Sequence, residues 1–436
     1  MECNLLYIFL FLKMNNYYAE GHYDYTFYCY EVSAFNEVEK SQLYSMYKEE
    51  QEIFFINDVT NGPDLPTKVL VRDETASGFE SFLYRTSIQY KYVGDLKKEK
   101  PTNSTVGSIS KSFYDWPSML LWIQESLEKH PDMLTKEIIA KTYEGRDVIM
   151  LKLSLYNRKN PVVFIVGGED GMDWISSSII LNFLDTLLQK RQELLGLLWS
   201  FNFFMVPVLN PDGFVFSKEV CWLWKKNRSI HKKSCFNGSD FIGVNIAKNW
   251  YFKEDVKDLK NVYPLNMGCT PVSENETRGL AVALNNVALD MIAFINLYGY
   301  GNCITIPYAY SNYQSNNYEI VKEILDQARR KVEAQYNTQF LVGQTERLFY
   351  NRFGTVADWV KMKLNTPIVF TVHMDDESTF LQEPKHLLAL TEQFTTILSE
   401  SLPIAKLFYG PLFNKSQQLE NSILLYVMII LLCSNL

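Results

Sequence analysis

Two hydrophobic rhythms divide the chain. In the first, Tyr25 to Val32 is rich in aromatic and β-branched residues, and Glu37 to Glu49 is charged but presents Val38, Leu43 and Tyr47 at helical spacing. Ile53 to Ile56 and Lys68 to Val71 are short apolar strands on either side of the turn-forming Asn61-Gly62-Pro63. A second helix is predicted around Ala76 to Tyr84 and a last strand at Ile88 to Val93. The order β-α-β-β-α-β predicts a small ferredoxin-like α+β unit over residues 23–96. Lys97-Lys98-Glu99-Lys100-Pro101 and the Ser/Thr/Asn/Gly stretch to Ser112 have no periodicity, so 97–112 reads as a linker open to a trypsin-like protease.

Residues 113–411 follow the second rhythm. Val162 to Val166 and Phe203 to Val208 are near-continuous apolar runs, the pattern of strands buried on both faces. Between them Trp174 to Gln189 places Ile175, Ile179, Phe183, Leu184 and Leu187 on one helical face. Ser273-x-x-Glu276 is a capping box that predicts a helix running to about Asp290. Further strands are expected at Ala293 to Leu297 and Ile368 to Val372, and helices at Tyr318 to Tyr336 and His386 to Glu400. The alternation predicts an α/β domain around a mixed, mostly parallel sheet flanked by helices. In such sheets ligands bind beyond the carboxyl ends of strands, here Gly167 to Asp173, Asn210 to Gly213, Tyr298 to Gly301 and His373 to Ser378.

Composition narrows the chemistry. At 436 residues, 47% apolar and 21% charged, the chain can bury one or two globular cores. Lys and Arg number 42 against 50 Asp and Glu, a net charge of −8 with no long basic run, which argues against nucleic acid as a partner. Only five histidines exist, His22, His130, His231, His373 and His386, and any imidazole chemistry must come from them. None of the seven cysteines forms a CxxC pair, which excludes a zinc ribbon. Cys3 and Cys433 lie in end segments open to processing; the other five read as one pair plus unpaired thiols.

Sequons at Asn103, Asn227, Asn237, Asn275 and Asn414 suit a secreted glycoprotein, though such triplets also arise by chance. The apolar core Leu5 to Leu12, with a small-residue cleavage point near Ala19, reads as a signal peptide over 1–19; Glu2 departs from the positive start, and the alternative is a buried N-terminal segment. In 412–436, a polar spacer precedes the eleven-residue apolar run Ile423 to Cys433, with Asn414 as a small attachment residue. That is the layout of a GPI lipid-anchor signal; the alternatives are a single-span membrane anchor and a packed or cleaved tail. The expected location is secreted or at the extracellular surface.

A series of ordered motifs runs through the chain: Thr142-Tyr143-Glu144-Gly145-Arg146, Gly167-Gly168 with Trp174-Ile175-Ser176, and Asn210-Pro211-Asp212-Gly213-Phe214. They continue with Trp224-Lys225-Lys226-Asn227-Arg228-Ser229, Gly243-Val244-Asn245, Asn249-Trp250, Ser273-Glu274-Asn275-Glu276-Thr277-Arg278 and Asp358-Trp359. Over about residues 23–411 the chain thereby resembles the secreted zinc metallocarboxypeptidases of the A/B type, which are made with a ferredoxin-like pro-segment. The resemblance implies that fold, a pro-domain at 23–96 and a carboxypeptidase-like domain at 113–411. It also implies a Cys235–Cys269 disulfide.

The catalytic positions depart from the family. Its zinc ligands are a His-x-x-Glu motif after Gly-Gly and a histidine at a strand end. Here those places hold Asp170, Asp173 and Tyr298, and Tyr300, two residues on, is among the expected substrate-binding positions. Imidazoles and a carboxylate hold zinc while leaving a position for water, whose pKa falls to about 7. The general-base glutamate is replaced by His373. Among substrate positions, an arginine becomes Met172, the carbonyl-polarising arginine becomes Lys225, and the Asn-Arg pair that holds the terminal carboxylate becomes Ala247-Lys248. Tyr350 keeps the mobile tyrosine, and Ala357 at the pocket floor selects no basic side chain. Lysine keeps charge without the bidentate fork.

Read simply, Asp170 and Asp173 are solvated loop carboxylates, Tyr298 packs with its hydroxyl paired, and His373 sits satisfied at a strand end. The sharper alternative is a rebuilt metal site in which Asp170, Asp173 and His373 converge. The expectation is therefore a catalytically inactive homologue with no cofactor, binding peptide C-termini or a protein partner in the old cleft. The rival expectation is an active metallocarboxypeptidase that releases apolar C-terminal residues with zinc in a remodelled site.

Overall fold

The first sheet is apolar on both faces. β1 (Thr26–Ser33), β2 (Ile53–Phe55), β3 (Thr67–Arg72) and β4 (Gln89–Lys97) lie in the order β2-β3-β1-β4, every pair antiparallel, with α1 (Glu37–Glu49) and α2 (Asp73–Thr86) between strands as in a ferredoxin-like unit. Side chains alternate across a strand. Tyr30, Val32, Val69 and Val71 therefore pack with Leu43, Phe79 and Leu83 of the helices, whereas Phe27 and Leu70 face the other way, into the core of the larger unit. Of the residues expected on one face of α1, Leu43 is buried but Val38 is exposed. In this computed structural model the described residues are 26–49, 53–56, 58–61, 64–97, 113–155, 159–189, 192–231, 241–252, 267–350, 352–375 and 386–413. The expected signal peptide, residues 98–112 of the expected linker, residues 414–436 of the C-terminal segment and Cys235 lie outside them.

The larger unit opens with α3 (Trp116–Lys129), whose first turn is capped by Asp115 accepting from Ser118 N. Its sheet is built from β5 (Leu134–Lys141), β6 (Asp147–Leu153), β7 (Val162–Val166), β8 (Asn202–Val206), β11 (Met291–Tyr300), β12 (Cys303–Ile306), β13 (Leu341–Gln344) and β14 (Ile368–Asp375). The order is β13-β12-β14-β11-β7-β8-β6-β5. The central strands β14, β11, β7 and β8 are mutually parallel; β12 runs against β14 but parallel to β13, and β6 runs against both β8 and β5. Two short strands, β9 (Ile230–His231) and β10 (Phe241–Ile242), pair apart from it.

Helices cover both faces. Val163 and Ile165 pack with α4 (Trp174–Leu188) and α11 (Leu387–Tyr409), while Phe164 and Val166 pack with α7 (Asn275–Val287) and α10 (Val356–Leu364). The helical face expected on α4 is too narrow, because nearly every residue of that helix is buried. α5 (Leu195–Ser200), α6 (Pro211–Glu219), α8 (Tyr318–Tyr336) and α9 (Thr345–Leu348) complete the unit. α11 runs past Glu400 and through Pro403. No described helix is long and apolar enough to cross a membrane.

The expected capping box does not form. α7 begins at Asn275 after Glu274, whose side chain makes no cap, because Ser273 Oγ donates to Glu274 Oε1 instead (2.6 Å) and Glu274 Oε2 accepts from Asn227 and Ser229. Asn227 is fully buried in this cluster, its Nδ2 donating 2.9 Å to Glu274. Site-resolved mass spectrometry is thus expected to find no glycan at Asn227, since a glycan cannot be accommodated on that nitrogen without losing the buried bond.

Candidate functional site

β7 ends in Gly167-Gly168. Gly168 has φ +60°, and a Cβ there would meet Ser177 Oγ at 2.7 Å and Val208 Cα at 2.9 Å, so only glycine permits the tight turn. The turn drops three carboxylates, Glu169, Asp170 and Asp173, into the protein at the head of α4, all buried. The simple reading of Asp170 and Asp173 as solvated loop residues is therefore corrected.

Each carboxylate has protein partners. Asp173 caps α4, its Oδ1 accepting from Ser176 N (3.0 Å), and its Oδ2 accepts from Gly299 N of β11 (3.1 Å). Burial, partly offset by those bonds, pushes its pKa up to about 7. Asp170 Oδ2 accepts from Tyr300 OH at 3.1 Å. Glu169 Oε2 accepts from Asn296 Nδ2 (2.8 Å) and from Tyr298 OH (2.5 Å). Burial raises the pKa of both Asp170 and Glu169.

The parallel register of β11 and β14 sets Tyr298 beside His373, and their rings stack 5.2 Å apart at 9°. The Phe349 ring also lies 5.1 Å from the imidazole, tilted at 40°. Burial first, then Arg352, holds the His373 pKa well below its ordinary value, so the ring is neutral. Its Nε2 has no hydrogen-bond partner among the described residues, so the histidine is not fully satisfied as the simple reading had it.

These residues do not fit zinc. Both Asp173 oxygens are taken by backbone N–H groups, and burial keeps the Tyr298 phenol protonated as a donor to Glu169. A metal would have to displace a helix cap and ionise that phenol. Among the described residues no group of three or more His, Cys, Asp or Glu side chains is placed to hold a metal ion. The expected alternative, a convergence of Asp170, Asp173 and His373, is not formed.

Opposite the carboxylates stands a cationic wall, and a segment of the small unit lies on it. Lys225 Nζ donates to the carbonyls of Phe55 (2.5 Å) and Ile56 (3.3 Å) at the end of β2. Two residues on, Asp58 Oδ2 lies 2.9 Å from Lys248 Nζ and 2.9 Å from Arg352 Nε. Pairing beyond Asp58 holds the segment down: Asn61 N donates to Leu348 O and Tyr350 N to Val59 O. The Arg352 guanidinium lies over the rings of Phe349 (4.8 Å) and Tyr298 (5.4 Å). Asp58, Asp170, Lys225, Ala247, Lys248, Tyr298, Tyr300, Arg352 and His373 share a cavity of about 30 Å³.

Other expected site residues lie elsewhere. Met172 lines a separate space of about 80 Å³ against Ile53 to Phe55. Ala357 packs in the core beneath the sheet. Tyr350 packs edge-on against Tyr44 of the small unit, ring centroids 5.8 Å apart, and does not line the Asp58 cavity. Asp58, Glu169 and Arg352 were not singled out by the motifs. Asp58 reads as an ordinary turn residue, and Arg352 stands in a stretch with no periodicity of its own.

A family model described as Zinc carboxypeptidase matches residues 119–396, well over half of the chain. The chain belongs to the zinc carboxypeptidase family. Carboxypeptidase O of Bos taurus is 27% identical over 265 residues, covering 59% of this chain and 69% of that protein. Mast cell carboxypeptidase A of Mus musculus is 27% identical over 301 residues, covering 66% and 71%. The crystal structure of thrombin activatable fibrinolysis inhibitor aligns with a TM-score of 0.75 at 20% identity, over 88% of this chain and 99% of that one. Carboxypeptidase A from Helicoverpa armigera aligns at 0.74 and 19%, over 88% and 98%. These likenesses bear out the expected α/β fold. Cys269 is disulfide-bonded, and Cys235, its expected partner, lies outside the described residues.

Proposed function

We propose that this zinc carboxypeptidase family member is a non-catalytic binding protein that captures the carboxylate end of a peptide or protein partner in the family's cleft, with the small unit as a pro-segment covering it. One observation carries the reading: the cationic wall already holds peptide-like groups, two backbone carbonyls on Lys225 and a carboxylate on Lys248 and Arg352. A peptide's last carbonyl and its terminal carboxylate present the same chemistry. Across the cleft, the oxygens that would have to serve a metal are committed to Ser176 N, Gly299 N and Glu169.

With no zinc-polarised water, His373 has nothing to deprotonate, and its neutral ring acts as packing against Tyr298 and Phe349. Lys225, Lys248 and Arg352 bind and orient; none of them supplies a nucleophile. Secretion or display at the extracellular surface, by a lipid anchor on the C-terminal tail, belongs to the same proposal.

Metal content and turnover of the purified chain test it, before and after a trypsin-like protease cuts the linker. Zinc is expected well below one per chain, with no release of C-terminal residues from blocked dipeptides. Losing the base and the metal together removes far more than the roughly 10²- to 10⁴-fold that a general base alone supplies. Stoichiometric zinc, with turnover abolished by Asp170→Ala, would overturn the reading in favour of an active metallocarboxypeptidase. Release of surface protein by a phosphoinositide-specific lipase is the expected result for the anchor.

A further inference from the structure

We infer that Asn275 carries an N-linked oligosaccharide, which covers the outer face of α7 and withdraws that face from partner contact. The inference rests on the reading of the chain as exported, and it names the residue that export marks.

Of the five sequons, those at Asn227 and Asn275 fall among the described residues. In an unfolded chain Asn227-Arg228-Ser229 and Asn275-Glu276-Thr277 offer the same chemistry. The fold tells them apart. Asn227 Nδ2, the atom a glycan would occupy, donates to Glu274 inside a buried cluster. Asn275 stands exposed in the first turn of α7, where its Oδ1 accepts from Arg278 Nη2 at 2.6 Å. A guanidinium only donates, so the amide atom facing it is the oxygen, and the nitrogen points the other way. No described residue accepts from that nitrogen, and a sugar placed on it breaks no hydrogen bond among them.

The bond that forms joins Asn275 Nδ2 to the anomeric carbon of a lipid-linked oligosaccharyl pyrophosphate, the donor met on the secretory route. The bond from that carbon to the pyrophosphate oxygen breaks, the pyrophosphate leaves with the electron pair, and the amide loses one proton and keeps the other. Thr277, the third residue of the triplet, is fully buried with its Oγ1 donating to Asn249 Oδ1 (2.8 Å), so transfer precedes folding. The fold then accepts a glycan at Asn275, whereas one at Asn227 would have to enter the protein.

Arg278 and Val282 follow Asn275 by three and seven positions and share its side of α7. Val282 is 61% exposed, whereas Leu280, Ala283 and Leu284 are buried. Seven residues of helix span about 10 Å, within reach of a branched oligosaccharide, so the sugar lies over the one large apolar side chain that this stretch turns outward.

The test expresses the full chain in a eukaryotic secretory host and maps its glycopeptides by mass spectrometry, before and after an amidase that releases N-linked glycans and leaves Asp at the bearing position. Asn275 is expected to be glycosylated in most exported molecules, and Asn275→Gln to lose one glycan from the intact mass with little change in melting temperature. Should that variant fail to fold, the glycopeptide map of the unaltered chain decides occupancy alone. Coverage is read with Val282→Cys. Its labelling by a bulky maleimide, corrected for the unaltered chain, is expected to speed up several-fold on glycan removal, while that of Leu289→Cys, beyond the end of α7, stays the same. Exported protein with a bare Asn275 overturns the inference and leaves export standing. Val282→Cys labelling that ignores the glycan overturns the covering role. A chain that is not exported brings down the reading of a secreted protein, and this inference with it.

Discussion

Asp58→Ala is expected to lower the stability of the folded chain by about 3–5 kcal/mol, the cost of stripping the partner from buried charge. Lys248 and Arg352 are both nearly inaccessible, and each has this carboxylate at 2.9 Å. Neither can turn to water without moving the small unit. Urea denaturation monitored by tryptophan fluorescence reads the loss directly. The control is the triple replacement Asp58→Leu, Lys248→Met, Arg352→Met, which removes the charges together and is expected to recover most of the stability, because an apolar cluster needs no desolvation of ions. A single-variant loss below about 1 kcal/mol would place the trio with solvent-exposed pairs, which contribute that little.

Stability is expected to be greater near pH 5 than near pH 8. Burial raises the carboxyl pKa of Asp173 to about 7, of Glu276 to about 7 and of Asp358 to about 6. In the unfolded chain these groups ionise near pH 4. From there up to each folded value the folded state holds protons that the unfolded state has lost, so stability falls as pH rises and levels off above about 7. A carboxyl that ionises one pH unit later in the fold than in the unfolded chain changes stability by about 1.4 kcal/mol, and the three groups together amount to several times that.

The opposite sign governs acid. Burial raises the Asp58 carboxyl, but Lys248 and Arg352 outweigh it and hold the group well below its usual range. Hydrogen bonds from His231, Ser273, Ser229 and Asn227 likewise outweigh burial at Glu274 and hold it at about 2. Their stabilisation is full above about pH 4 and is lost as pH falls through the folded values. Urea midpoints measured from pH 3 to 9 should therefore peak between about 4 and 6, and Glu276→Gln should flatten the alkaline limb. A maximum at pH 8 would show that these carboxyls are ionised in the fold.

Much of this molecule was legible because periodicity reports burial. The switch from short alternating strands to continuous apolar runs marked the change from the small sheet to the larger one, and Gly167-Gly168 marked the turn at the site. What escaped has physical reasons. β12 and β13 span four residues each, too short for any period to register. The burial of Asp170 and Asp173 follows from a glycine turn and the N-terminus of α4, and polar residue type alone suggests the reverse. The ion trio joins Asp58 to a lysine 190 residues away and to Arg352, and nothing local to either cation points to the acid. Tyr350 was expected to cap a carboxylate, and its ring instead packs on Tyr44, a contact 306 residues distant in sequence that no motif reports.

The two apolar faces of the first sheet also decide what a proteolytic cut between the units can accomplish. Phe27 sits edge-on to Trp222 at 6.0 Å, and Leu70 and Ile56 complete the same buried seam. Severing the peptide chain removes a tether but leaves that seam dry and the Asp58 pairs closed. A nicked molecule is therefore expected to remain one particle on gel filtration, its small fragment behaving as a subunit. On the proposed reading of the cleft, opening then depends on a competitor strong enough to carry the fragment off, and the arriving ligand, not the protease, is expected to act as the switch.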